Sequence, residues 1–173
     1  MKNVVLALGL IAAATPALAQ EETPAPDASP AGEAATQAAL SDLADLPPGE
    51  AWLADPSQVF EAGDIAIDDF RWLARPIIVF ADSPLDPAFQ TQMDLLQSRI
   101  EDVVERDVIL ITDTDPGAMS DLRRQLRPRG FQLVLIGKDG GVKLRKPFPW
   151  DMRELSRTID KMPMRQREMR EGA

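Results

Sequence analysis

Three short apolar runs set what this chain can fold into: PIIVFA at Pro76–Ala81, DVILIT at Asp107–Thr112 and FQLVLI at Phe131–Ile136. Each has strand length and a centre of consecutive branched residues. That composition predicts strands covered on both faces. Strands of this kind need helices against the sheet, and the intervals supply them. After the first run, Asp86 is a good N-cap and Pro87 fits the first helical position. Phe89, Met93, Leu96, Ile100 and Val103 then follow at spacings of 4, 3, 4 and 3, one apolar stripe on one helix. After the second run, Asp115-Pro116 repeats the signal, and a helix is expected with Met119, Leu122 and Leu126 on one face, ended by Pro128 and Gly130.

The third run leads into Lys138-Asp139-Gly140-Gly141, a tight turn in which glycine supplies positive φ. Val142–Arg145 then reads as a short edge strand, protected by its charge. Trp150–Met162 is the last expected helix, with Met152, Leu155, Ile159 and Met162 on one side and Pro163 closing it. The order is β-α-β-α-β-β-α, an α/β sheet flanked by helices. The first two strands, joined through a helix, should be parallel. Upstream, Asp55–Trp72 (DPSQVFEAGDIAIDDFRW) promises one short helix or strand.

The N-terminus reads MKNVVLALGLIAAATPALAQ. A lysine, an apolar segment and Ala17-Leu18-Ala19 predict a secretory signal peptide (1–19) cut after Ala19, and hence a periplasmic or secreted protein. The apolar segment falls short of the ~20 residues a bilayer crossing takes. Residues 20–50 are rich in Ala, Pro and acid and read as a disordered linker. Within it, Ala34–Leu46 is a possible helix with Leu40, Leu43 and Leu46 aligned. Residues 51–170 are the expected folded domain.

Charge divides the chain. From Gln20 to Leu122 there are 22 Asp and Glu against 4 Lys and Arg, and from Arg123 to Arg170 there are 14 Lys and Arg against 5 Asp and Glu. The basic half suits an anionic envelope component or a protein partner; the plainer reading is that acidic parts of the chain lie against it. An exported chain with a pI near 4.5 is not expected to bind nucleic acid.

There is no cysteine and no histidine in the 173 residues. Thiol–disulfide exchange by the chain's own residues is therefore excluded, since it needs a thiolate. A Ser-His-Asp triad and zinc held by Cys or His are excluded as well. No glycine-rich phosphate loop or dinucleotide fingerprint follows a strand, and no cofactor is expected. Methionine-bound Cu(I) is disfavoured, because most methionines fall on helix faces. Two clusters remain. Asp82, Asp86, Asp113 and Asp115 stand at strand ends, where a hard cation or a pocket might use their oxygens, although Asp86 and Asp115 are explained by capping. Lys138, Lys143, Arg145 and Lys146 form a candidate anion or partner surface, against which stands simple edge protection. Trp72 and Trp150 are expected to cover the ends of the core, with Arg71-Trp72 as a possible recognition pair.

The stretches RPIIVFADSP, RDVILIT, GFQLVLIGKDGGVKLR and IDKMPMRQREM, spread over Asp69–Arg170, resemble the bacterial members of the DUDES domain family. That family is a thioredoxin-like, peroxiredoxin-related group of unknown function, with similar domains in sushi-repeat extracellular-matrix proteins. The resemblance implies a thioredoxin-like fold and export, and no activity. In such a fold the redox cysteine follows the first strand at a helix N-terminus, where the dipole lowers its pKa. Ser83 stands near that place here. The position of the cis-proline is taken by Phe131, after Gly130. Both redox positions are degenerate. The reading is a non-redox binding or scaffold domain, with an enzyme acting through strand-end carboxylates or the basic hairpin as the alternative.

Overall fold

A computed structural model of the chain describes residues 46–172. The expected signal peptide and nearly all of the linker lie outside the described residues, as do Leu40 and Leu43. Helix α1 (Pro48–Ala54) leads into a short strand β1 (Val59–Glu61) and two 3₁₀ turns, Ala62–Asp64 and Ile67–Phe70. Then come β2 (Arg75–Phe80), α2 (Pro87–Gln97), α3 (Ile100–Glu105) and β3 (Val108–Asp113). A 3₁₀ turn (Pro116–Ala118), α4 (Asp121–Leu126), β4 (Gln132–Ile136), β5 (Val142–Lys146), α5 (Met152–Asp160) and α6 (Pro163–Glu171) complete it. The five strands lie in the order β1-β3-β2-β4-β5. The first three run parallel, while β4 and β5 are each antiparallel to their neighbours. This is a thioredoxin-like sheet.

Every residue of β2 is buried, as the continuous apolar run requires. Successive side chains go to opposite faces, and two cores result. Ile78, Phe80, Ile109, Ile111, Val134 and Ile136 face one side, with Trp52, Phe70, Leu122 and Leu126 packed over them. Ile77, Val79, Val108, Leu110, Leu133 and Leu135 face the other, beneath Leu96, Val103, Met152, Leu155 and Ile159. The parallel pairing sets Ile77 beside Leu110, and β4 enters antiparallel with Leu135 beside Ile77. Between β4 and β5 the register slips at Leu135/Ile136, an irregularity that bends an edge strand away from strand addition.

Four expectations need correction. The stripe from Phe89 to Val103 belongs to two helices, because the chain breaks at Ser98–Arg99 and Arg99 takes φ −135°. Asp115 caps only the 3₁₀ turn; α4 begins later, with the Ser120 hydroxyl accepting from the Arg123 N–H at 3.0 Å. Met119 is therefore not on a helix face: it lies in the left-handed region at φ 48° and is exposed. Pro163 does follow the end of α5, but it also opens a separate helix, α6, in keeping with proline's fit at a first helical turn. The upstream segment Asp55–Trp72 holds a strand, β1, pairing Phe60 with Ile111, and two 3₁₀ turns, while helix α1 lies before it and crosses the expected domain start at residue 51.

The capping prediction at Asp86 holds, its carboxylate accepting from the Ala88 N–H at 2.8 Å. The KDGG turn also forms, and Gly140 takes φ +78° with Arg71 so close that a Cβ would stand 3.0 Å from its guanidinium. Asp107 is excluded from β3 by its own φ of 49°. Trp150 packs on the second core as expected. Trp72 does not cover the core: it is 65% exposed, at φ 68°, with its N–H donated to Lys138 O at 2.8 Å. No helix among the described residues is long and apolar enough to cross a membrane.

Candidate functional site

The carboxyl ends of β2 and β3 carry a buried ion pair. Asp113 ends β3 with its side chain 3% exposed, and Arg123 of α4 reaches it with its own side chain 8% exposed. Arg123 Nη2 donates to Asp113 Oδ1 at 2.6 Å, and its Nε donates to the same oxygen at 3.0 Å. Nη2 also donates to Ala81 O at 2.9 Å and Asp113 O at 3.0 Å. The Ser120 hydroxyl donates to Asp113 Oδ2 at 2.5 Å. The guanidinium carbon stands 5.5 Å from the centre of the Phe80 ring. Two strands and a helix are thus tied by one charged group whose Nε and Nη2 donors are both engaged, while Nη1 faces the exposed Asp82 at 3.9 Å.

The four strand-end acids do not converge. Asp113 is neutralised by Arg123, Asp86 and Asp115 cap their turns, and Asp82 is 65% exposed with only a 3.9 Å approach to Arg123. Among the described residues no group of three or more acidic side chains is placed to hold a metal ion. Asp113 and Asp115 do line one cavity of about 400 Å³, with Glu61, Thr112, Ser120 and Arg124; Asp82 and Asp86 are not in its wall.

At the degenerate redox positions, the Ser83 hydroxyl accepts from the Leu85 N–H at 3.1 Å. Phe131 packs against the second core. No peptide bond is cis among the described residues, and Gly130 takes φ +61°. A Cβ on Gly130 would stand 3.8 Å from an Asp82 carboxylate oxygen. The Ser83 and Gly130 loops therefore meet beside the exposed Asp82 carboxylate, with no thiol at either place.

The basic cluster is also dispersed. Lys138 is not a surface cation: its side chain is 11% exposed, with Asp107 at 2.8 Å and Glu168 at 3.1 Å. Lys143 pairs with Asp139 of its own turn at 2.6 Å, and that hydrogen bond holds the Asp139 carboxyl below its ordinary value against a smaller opposing effect of burial. Lys146 lies 3.6 Å from the centre of the Trp150 ring. Arg145 remains exposed and donates to Leu126 O at 2.8 Å, at the end of α4, after which the exposed Arg127 and Arg129 follow in the chain. Lys138 stands at one end of β4 and Arg145 opposite Val134 near the other, so hairpin spacing did not make a cluster.

At the amino ends of the strands lies a second ion network. Arg75 opens β2 and is 1% exposed; its Nη2 donates to both Glu168 oxygens at 2.8 Å, and its Nη1 to Arg106 O at 2.8 Å. Arg106 in turn donates to both oxygens of Asp160. Burial opposes charge on both Arg106 and Glu168. The Asp160 hydrogen bond together with the charges of Asp160, Glu105 and Asp102 outweighs this and raises Arg106, while the hydrogen bonds and charges of Arg75 and Lys138 together outweigh it and hold Glu168 below the usual carboxylate range. A depressed folded value means that the stabilisation from Glu168 is full above its unfolded value and fades as pH falls through the folded one. We therefore expect wild type to lose its stability advantage over Glu168→Gln on acidification, as measured by urea midpoints across the acid range.

Arg123, Arg75 and Glu168 were not singled out in the sequence. Arg123 adjoins Leu122 of an apolar face and Arg75 abuts an unbroken apolar run; a charge fixed at such a place must be paired. Glu168 carried no signal at all.

Among curated proteins, Coiled-coil domain-containing protein 80 of Danio rerio is 28% identical over 130 residues, 58% of this chain. The chain spans 15% of the length of that relative. Among solved structures, reduced 2-Cys peroxiredoxin of Plasmodium vivax is similar at 12% identity and TM-score 0.48, over 60% of this chain and 85% of that one. Reduced desulfothioredoxin of Desulfovibrio vulgaris Hildenborough is similar at 20% identity and TM-score 0.45, over 60% of this chain and 96% of that one. The family described as Domain of unknown function (DUF4174) matches residues 66–168, from the second 3₁₀ turn into α6. More than half of the chain lies within that match, and the chain belongs to the DUF4174 family.

Proposed function

We propose that this is an exported, non-catalytic binding domain whose partner is an anionic component of the cell envelope. The observation that supports it most directly is the meeting of the Ser83 and Gly130 loops. There the hydroxyl accepts from a backbone N–H, the nearby Asp113 is neutralised by Arg123, and the Asp82 carboxylate stands open to solvent. What that end of the sheet offers instead is positive charge, in exposed Arg127, Arg129 and Arg145. Cations of this kind steer an anionic partner and lose their effect with salt. Binding to an anionic polysaccharide and to anionic-lipid vesicles at low ionic strength tests the reading. The double charge reversal Arg129→Glu/Arg145→Glu is expected to weaken binding by about ten-fold or more without moving the urea midpoint. Equal binding by the double variant, or no binding to either probe, would overturn it.

One observation favours the enzyme alternative: Asp113 and Asp115 share the 400 Å³ cavity at the ends of β1 and β3. Clefts at the carboxyl ends of parallel strands are common ligand sites. Saturable binding of a small molecule lost in Asp115→Asn would support it.

A further inference from the structure

Helix α6 is held in an unusual way. It buries none of its residues, and no side chain caps it. Met162, just before it, packs on the second core, but beyond that residue the attachment is ionic. Glu168 receives Arg75 and Lys138, and Arg165 lies 3.5 Å from Glu105 and 3.7 Å from Asp160. A helix of nine residues is below the ~12–15 at which isolated helices become even marginal. Docking therefore decides whether α6 is a helix at all.

The two sides of the main contact differ in kind. Arg75 is fixed in the buried strand β2 and cannot leave; a buried guanidinium without a carboxylate is costly. Glu168 sits on a peripheral element with no apolar anchor of its own, the kind that opens first. What Arg75 requires is a carboxylate presented to its Nη2, with Lys138 Nζ alongside. Nothing in that requirement names the helix that presents it. Beside the pair is a cavity of about 210 Å³ between α6 and the β4–β5 turn, walled by Arg75, Lys138, Met162, Met164 and the Asp139–Lys143 ion pair, whose charges offset each other. Methionine walls next to two cations suit an acidic residue with an apolar neighbour.

We propose that Arg75 and Lys138 form a carboxylate-binding site for an acidic peptide segment, and that Glu168 of α6 is its built-in, exchangeable occupant. The carboxylate accepts two hydrogen bonds from Arg75 and forms one ion pair with Lys138, and the apolar neighbour of a partner's carboxylate enters the cavity. When α6 swings away, a partner's Glu or Asp takes the same bonds, so uncovering and binding are one exchange. The site is separate from the arginines of the proposed anionic surface, and each reading can fail without the other.

The test uses the full wild-type chain and a labelled peptide of residues 162–173, MPMRQREMREGA. In native-state hydrogen exchange across a urea series, α6 amides are expected to open about ten-fold or more as often as those of β2. The peptide is expected to bind Glu168→Gln about ten-fold or more tightly than wild type, and a peptide carrying Gln at position 168 is expected not to bind. Exchange of α6 only through the global unfolding that frees β2 would overturn the proposal. So would equal binding of the Glu and Gln peptides. The exchange measurement needs no variant and decides the matter if Glu168→Gln fails to fold.

Discussion

Asp113→Ala is expected to lower the unfolding free energy by about 3–5 kcal/mol, the range seen when one partner of a buried ion pair is removed. The carboxylate is 3% exposed and Arg123 is 8% exposed, so solvent screens little of the loss. The variant leaves a guanidinium beneath the surface with only the carbonyls of Ala81 and residue 113 as acceptors, and the Ser120 hydroxyl loses its acceptor. Against a total of about 5–15 kcal/mol for an ordinary domain, such a change brings the protein near unfolding. A urea midpoint that falls with unchanged slope is the expected signature. The double variant Asp113→Leu/Arg123→Met should recover most of the loss, because the penalty belongs to the orphaned charge rather than to a missing attraction. A loss below about 1 kcal/mol for the single variant would show that water reaches Arg123.

Trp52→Ala is expected to cost about 3–5 kcal/mol, as for other large aromatic truncations in a core. Trp52 is 4% exposed on α1, packs on the face that holds Phe70 and Ile109, and donates its indole N–H to Val108 O at 3.3 Å. Trp52→Phe should cost much less, about 1 kcal/mol, since it keeps most of the packing and loses one hydrogen bond. Helix α1 lies before residue 66, where the family match begins. A large effect from Trp52→Ala therefore means that the cooperative unit extends upstream of the family's own boundary. Wild-type stability in that variant would mean that α1 rests on the domain without belonging to it.

The sheet was legible because its signal is local. PIIVFA, DVILIT and FQLVLI each announce burial on both faces, and the helices between them announce their faces by spacing. What failed was also local in cause. Phe89 to Val103 kept its apolar spacing through a break, because a short turn of about one residue can leave the stripe in phase. Asp115-Pro116 gave a true cap, but of a 3₁₀ turn too short to be told from a helix by two residues. Strand β1 was hidden because three residues at a sheet edge carry almost no periodicity. The functional candidates fared worse, since they depend on contacts between distant parts of the chain. Lys138 and Lys143 read as members of one basic cluster at the hairpin, yet one is bound to Asp107 and Glu168 and the other to Asp139. Asp113 looked like a free acid, and its partner is ten residues away in sequence on a helix that begins later than its cap signal.

The exposed backbone kink at Trp72 has an optical consequence. Trp52 lies in the core at 4% exposure and Trp72 stands in solvent at 65%. One indole is therefore shielded from a dissolved quencher and the other open to it; with the half-buried Trp150 replaced by Phe, the emission of the folded chain divides into an early-quenched red component and a protected blue one. Trp72 also donates its N–H to Lys138, the residue that shares Glu168 with Arg75. The red component thus reports from beside the helix contact, while the blue one reports on the core, and a single unlabelled sample distinguishes a local rearrangement from the loss of the fold.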